Sequence, residues 1–169
     1  MAANGTEPVE PGKKAPAFTL SDQHGRAHAL RDYAGRPVVL FFYPKDMTSG
    51  CTKEACAFRD LSEEFERAGA AVLGISILGP DSKAKFATKE SIGFPLLADD
   101  RTSQDGKPDP VVCQKYGVWA EKSMYGKTYM GIQRTTYLID GSGKVARRWD
   151  KVKVPGHAEA VLEAVGELG

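Results

Sequence analysis

Long apolar runs are missing from this chain, and no stretch approaches the roughly 20 residues that a membrane-spanning helix needs. The opening residues 1–12 carry neither a basic segment nor an apolar one, as a secretory leader would, and are rich in polar residues, Gly and Pro. They are expected to form a flexible tail. An excess of charge is also missing: 23 Lys and Arg against 22 Asp and Glu leave a net +1, with no runs of either sign. Nucleic acid and anionic membranes are therefore not expected partners. Cysteine is scarce, and three of them cannot build a full disulfide framework, so reactive or free thiols are the better expectation. Histidine is equally scarce: His24 and His28 have no Cys or carboxylate at metal-ligand spacing and read as surface residues. No metal and no cofactor is called for. No internal repeat interrupts the chain, and 169 residues, 41% hydrophobic and 27% charged, suit one core, a single domain over residues 13–169. The expectation is a soluble, cytoplasmic protein.

What is present concentrates in residues 43–56, Tyr-Pro-Lys-Asp-Met-Thr-Ser-Gly-Cys-Thr-Lys-Glu-Ala-Cys. Val38, Val39, Leu40, Phe41 and Phe42 precede it as an apolar, β-branched and aromatic run of the kind found in strands buried on both faces. Cys56, Phe58, Leu61, Phe65 and Ala68 follow at helical spacing, with Glu63, Glu64, Glu66 and Arg67 between them. Cys51 thus falls in a first helical turn, where unpaired N–H groups and the helix dipole stabilise a thiolate. The competing reading, a small buried hydrophobe, fits poorly with a turn so rich in small and polar residues.

The rest of the chain alternates strand and helix patterns. Residues 17–20 and 26–30 around a Gly-containing turn predict an N-terminal β-hairpin, and residues 70–77 a second buried parallel strand. Residues 82–91 read as a polar helix, residues 94–99 as a short strand, and residues 100–110 as an exposed, mobile loop. A short helix over 111–116, a loop or edge segment over 126–130 and a hairpin over 134–149 come next. Pro155 and His157 then open a last helix carrying Val161, Leu162, Val165 and Leu168. The pattern predicts an α/β fold with a central mixed β-sheet flanked by helices.

At Pro44-x-x-x-Thr48-x-x-Cys51 the sequence resembles the peroxiredoxins. With Glu54-Ala55-Cys56, residues 73–76, Tyr116-Gly117-Val118-Trp119, Gly126-Lys127-Thr128-Tyr129 and Gly131-Ile132-Gln133-Arg134 it is similar to the bacterioferritin comigratory protein, or peroxiredoxin Q, subfamily. The likeness spans nearly all of the chain beyond residue 12. It implies a thioredoxin-like fold, and reduction of hydrogen peroxide and organic hydroperoxides by a monomer that thioredoxin or a similar dithiol recycles. In two places the chain departs from the pattern: Ser49 stands where the family often has Pro, and the loop over 100–110 is longer than usual.

Peroxide reduction needs a thiolate to attack one oxygen in line while the other leaves with negative charge. Cys51 would be that nucleophile. Arg134, otherwise a surface strand arginine, supplies a cation that never deprotonates and can bond both thiolate and peroxide. The Thr48 hydroxyl can orient the peroxide, cap the helix, or do both. Pro44 lacks an N–H and can shield the sulfur without competing for its hydrogen bonds. The sulfenic acid left on Cys51 must then meet a second thiol before more peroxide oxidises it further. The resemblance points to Cys56. In a regular helix the two Cα atoms would lie roughly 8.7 Å apart, beyond the roughly 7 Å that a disulfide spans, so bridging requires the first turns to unwind. Cys113 has no partner at motif spacing and reads as structural. Two rivals remain: a thiol-disulfide oxidoreductase, which usually needs a C-x-x-C where Glu54 stands, and a non-enzymatic redox relay on the same fold.

Overall fold

The computed structural model describes residues 7–168. In chain order the strands are β1 (Thr19–Ser21), β2 (Ala27–Ala29), β3 (Val38–Phe42), β4 (Ala71–Ser76), β5 (Leu96–Ala98), β6 (Trp119–Met124), β7 (Lys127–Ile132), β8 (Thr135–Ile139) and β9 (Val145–Trp149). The helices are α1 (Ser49–Asp60), α2 (Ser62–Arg67), α3 (Pro80–Glu90), α4 (Val111–Lys115) and α5 (His157–Leu168). Seven strands form one mixed sheet in the order β2-β1-β5-β4-β3-β8-β9, with β3, β4 and β5 parallel and β8 and β9 antiparallel to their neighbours.

Strand β3 is central, and its uninterrupted apolar sequence is explained by burial on both faces. Val39 and Phe41 point into a core with Phe58 of α1, Phe65 of α2, Phe86 of α3 and Val161 of α5. Val38, Leu40 and Phe42 point the other way, into a core with Val112 of α4, Tyr116 and Tyr137. Alternate residues of a strand face opposite sides, so one run feeds two layers. At Gly74 of β4 a Cβ would lie 2.8 Å from the Phe41 ring, so the aromatic packing on β3 requires glycine there.

Four details differ from the sequence expectation. Residues 7–12, the described part of the expected loose tail, are tied down: the Val9 amide donates to the Tyr137 hydroxyl at 2.9 Å and the Gly12 amide to the Val145 carbonyl at 2.7 Å. Gly117, with φ 69°, lets residues 7–8 pass so close that a Cβ would overlap their backbone. The remainder of that tail, residues 1–6, lies outside the described residues. The long amphipathic helix after Cys51 is broken at Leu61 (φ −103°, ψ 12°), where the Ser62 hydroxyl donates back to the Phe58 carbonyl and competes with the helical ladder. The stretch expected as a loop or edge is half of a separate two-stranded ribbon, β6–β7, whose turn residues Tyr125 and Gly126 both have positive φ (52° and 78°). A tight hairpin needs that turn geometry, and the Tyr-Gly pair meets it without the usual Asn-Gly signature. Finally, His28 is no free surface residue: it lies 2.7 Å from the buried Asp22 carboxylate and 2.7 Å from the Tyr33 hydroxyl.

The loop over 100–110 is largely exposed, as its composition implies. An Arg101–Asp109 ion pair (2.6 Å) and a bridge between Thr102 and Pro108 pin its two arms together.

Candidate active site

The segment between β3 and α1 is held from below by a buried polar cluster. Asp46 accepts from the Tyr43 hydroxyl (2.5 Å) and the Ser82 hydroxyl (2.7 Å), and lies 3.3 Å from the Lys83 ammonium, which also donates to Ser76 (2.7 Å). Lys83 is fully buried, and burial pulls its ammonium below the usual lysine range, with Asp46 working against that pull. The cluster joins the loop to β4 and α3. It holds Met47 at φ 66°, a left-handed conformation that costs a non-glycine residue about 1 kcal/mol or more.

From that anchored loop the chain enters α1. Thr48 occupies the N-cap position, but its hydroxyl turns back to donate to the Lys45 carbonyl at 2.9 Å and makes no cap to the helix. The first-turn N–H groups are therefore not occupied by the Thr48 side chain, and the positive end of the dipole acts on Cys51. Cys51 is 1% exposed, in the apolar core layer with Tyr43, Ala55 and Phe58. Pro44 is half-buried where β3 ends.

Arg134 comes from the far side, in the short link between β7 and β8. Its guanidinium forks: Nη1 donates to Glu54 Oε1 at 2.6 Å and Nη2 to Cys51 Sγ at 3.5 Å. Of the five residues expected in the site, the structure thus brings Cys51 and Arg134 into direct contact, while Thr48 and Pro44 flank them along the chain. Cys56 is set apart. Its thiol is half-buried on the flank of α1 that meets α3, where it donates to Glu90 Oε1 at 3.5 Å. All three cysteines are unbridged, and Cys113 is fully buried in the opposite core layer.

Three residues near Cys51 and Arg134 were given no part in the site by the sequence reading. Glu54 is 1% exposed, and burial pushes its carboxyl up to about 7 against the pull of Arg134; its Oε2 has no hydrogen-bond partner among the described residues. A usable signal existed: Cys51, Glu54, Ala55 and Phe58 fall at i, i+3, i+4 and i+7, so the glutamate sits on the buried stripe. Gly50 is the second. Its hypothetical Cβ would lie 3.1 Å from Arg134 Nη2, so the arginine reaches the sulfur over a bare Cα. The third is Lys122 of β6, half-buried with its stem along Gly131 and Tyr129. Burial and then the neighbouring Arg134 pull its ammonium below the usual lysine range, while Cys51 acts in the opposite sense. No local pattern marks it.

A buried thiol at a helix N-terminus, bonded by an arginine that a carboxylate holds in place, is built for nucleophilic sulfur chemistry with an anionic leaving group. Residues 11–148 match the AhpC/TSA family model. The chain belongs to the AhpC/TSA family of peroxiredoxins. Among the peroxiredoxins it is similar to peroxiredoxin Bcp of Escherichia coli (44% identical over 160 residues, covering 95% of this chain and 97% of that one). It is also similar to peroxiredoxin Bcp of Bacillus subtilis (41% over 160 residues, covering 95% and 97%). Among solved peroxiredoxin structures, Xanthomonas campestris peroxiredoxin Q superposes with a TM-score of 0.82 at 40% identity, over 93% of this chain and 97% of that one. The bacterioferritin comigratory protein of the same organism, solved as trapped intermediate and ligand complexes bearing on its alkyl peroxide reduction activity, gives 0.82 at 40%, over 94% and 98%. The mixed sheet and its helices are thus the thioredoxin-like peroxiredoxin fold, and this peroxiredoxin is a peroxidase. None of the helices among its described residues is long and apolar enough to cross a membrane.

Proposed function

We propose that this chain reduces hydrogen peroxide and organic hydroperoxides through Cys51, forms an intramolecular Cys51–Cys56 disulfide, and is recycled by thioredoxin or a similar dithiol. The fork of Arg134 between Glu54 and Cys51 carries this reading, because it aims a permanent cation at the sulfur and leaves it aimed when the sulfur's charge changes. In the first step the Cys51 thiolate attacks the terminal peroxide oxygen. The O–O bond breaks, sulfur becomes the sulfenic acid, and the departing alkoxide or hydroxide takes a proton to leave as alcohol or water. Arg134 stabilises the charge on the departing oxygen, and Thr48, with lone pairs left over after its bond to Lys45, orients the peroxide. Pro44 screens the sulfur without offering a competing donor.

Alkyl peroxide reduction by the Xanthomonas campestris relative supports the organic half of the substrate class. The proposed setting is the cytoplasm, with residues 13–169 working as one domain and the chain as a monomer. The third residue after Cys51 is a buried, ion-paired glutamate where a dithiol oxidoreductase would carry its second thiol, which argues against that rival.

Peroxide consumption with thioredoxin and its reductase tests the cycle. Cys56→Ser should react with its first equivalent of peroxide at the normal rate, then accumulate sulfenic and, with excess peroxide, sulfinic acid, and lose most thioredoxin-dependent turnover. If Cys56→Ser cycles as fast as the parent protein, Cys56 does not resolve the intermediate.

A further inference from the structure

Resolution poses a geometric problem that the structure makes specific. Five residues along α1 set the Cys51 and Cys56 side chains about 140° apart around the helix axis. Cys51 faces Arg134, and Cys56 faces the C-terminal end of α3 and bonds the Glu90 carboxylate. To reach the sulfenic sulfur, Cys56 must leave Glu90. The contact is therefore present in the folded reactant and absent when the two sulfurs meet, so it stabilises the state before resolution more than the state that resolves.

We infer that Glu90 is a positioning residue for the second half of the reaction: it parks the Cys56 thiol, protonated, against α3, and so sets how long the Cys51 sulfenic acid survives. This rests on the proposed resolving role of Cys56. Resolution requires the Cys56 thiolate to attack the sulfenic sulfur, forming the S–S bond and breaking the S–O bond; hydroxide leaves and combines with the proton Cys56 gave up, making water. Cys56 sulfur is oxidised and Cys51 sulfur reduced, with no other reagent. A carboxylate beside the thiol opposes its ionisation. The charged groups facing Cys56 are Glu90 from α3 and Arg59 and Asp60 from its own helix. Burial, then Glu90, raises the thiol above its ordinary value, and Arg59 works the other way. Arg59 Nη1 also donates to the Glu90 main-chain carbonyl at 2.6 Å. That second tie holds α1 to α3 through the backbone, so changing the Glu90 side chain releases the thiol and leaves the helix contact.

Glu90→Gln and Glu90→Ala test the assignment in rapid-quench experiments with one equivalent of hydrogen peroxide, following sulfenic acid, disulfide and sulfinic acid by mass. Oxidation of Cys51 should stay within about twofold of the parent rate. In Glu90→Ala, which removes the acceptor, the sulfenic acid should decay about fivefold faster, the scale of one lost hydrogen bond, and in Glu90→Gln, which keeps an acceptor but loses the charge, by about twofold; excess peroxide should yield correspondingly less sulfinic acid. The rise of the resolution rate with pH should begin at lower pH in Glu90→Gln, whose side chain has nearly the same size and so keeps Cys56 buried while removing the carboxylate's charge. Decay at the parent rate, or coincident pH profiles, overturns the role of Glu90. Slower decay also overturns it, and would make the carboxylate a base that assists Cys56. If the parent protein forms no Cys51–Cys56 bridge at all, the resolving role of Cys56 fails first and this inference falls with it.

Discussion

Replacing Arg134 with methionine separates two jobs that one guanidinium performs. Toward Cys51, 3.5 Å away, its proposed job is charge stabilisation, and toward Glu54 it supplies the counterion of a carboxylate that is 1% exposed. Loss of the first should slow oxidation of Cys51 by about 100-fold, the scale for removing a donor aimed at developing negative charge. Loss of the second is limited by protonation. Glu54 already stands near 7 in the fold against an ordinary 4.5, a raised acid whose stabilising contribution is complete below about 4.5 and is lost as pH climbs through about 7. Without Arg134 its carboxyl rises further and stays protonated at pH 8, so the extra cost there is about 1 kcal/mol, and at pH 5, where both proteins hold the proton, close to nothing. The pH-independent part of the loss adds equally at both values. Stopped-flow oxidation at pH 7 and urea unfolding at pH 5 and pH 8 read the two jobs independently. A variant oxidised within threefold of the parent rate would remove Arg134 from the chemistry, and a stability deficit identical at both pH values would show that Glu54 is not the group it neutralises.

Thr48→Val should slow oxidation of Cys51 by between about 10- and 100-fold, measured by the same rapid mixing; an unchanged rate would leave Thr48 a loop residue only. Lys83→Met strips the cation from the buried Asp46 carboxylate and should cost about 3 kcal/mol or more in urea unfolding at pH 7, and a loss under 1 kcal/mol would mean that the hydroxyls of Tyr43 and Ser82 suffice. His157 is buried, bonded through Nε2 to the Thr136 hydroxyl at 2.8 Å, and burial followed by Arg134 pulls it from 6.5 to about 4. A lowered base stabilises the fold above about 6.5, and that contribution is lost as pH falls towards 4, on the order of 3 kcal/mol. His157→Asn should therefore lose less stability than the parent protein between pH 7 and pH 4; parallel pH dependences would refute the assignment.

The strands and the place of Cys51 in a first helical turn were legible in the chain because their causes are local. Five consecutive apolar residues admit few structures other than a strand covered on both faces, and Cys51 stands at a strand-to-helix junction marked by Pro, Thr, Ser and Gly. The same holds for the terminal hairpin and for α5. Apart from the approach of Arg134 to Cys51, which the family resemblance implied, partnerships over long separations were not legible, since no spacing rule links residues 80 positions apart. The salt bridge of Glu54 with Arg134, the burial of Lys83 against Asp46 and the approach of Lys122 to the site exist only because β3, α1, α3 and the β6–β7 ribbon converge. The break at Leu61 is an intermediate case: Ser62, whose hydroxyl reaches back one turn to the Phe58 carbonyl, is a local feature beside it, yet Phe58 and Phe65 kept helical spacing across it and concealed it. Cys56 shows the division most plainly. Its distance from Cys51 along a helix followed from counting residues, whereas the carboxylate it rests on comes from a helix that begins 24 residues later and reaches it only through tertiary packing.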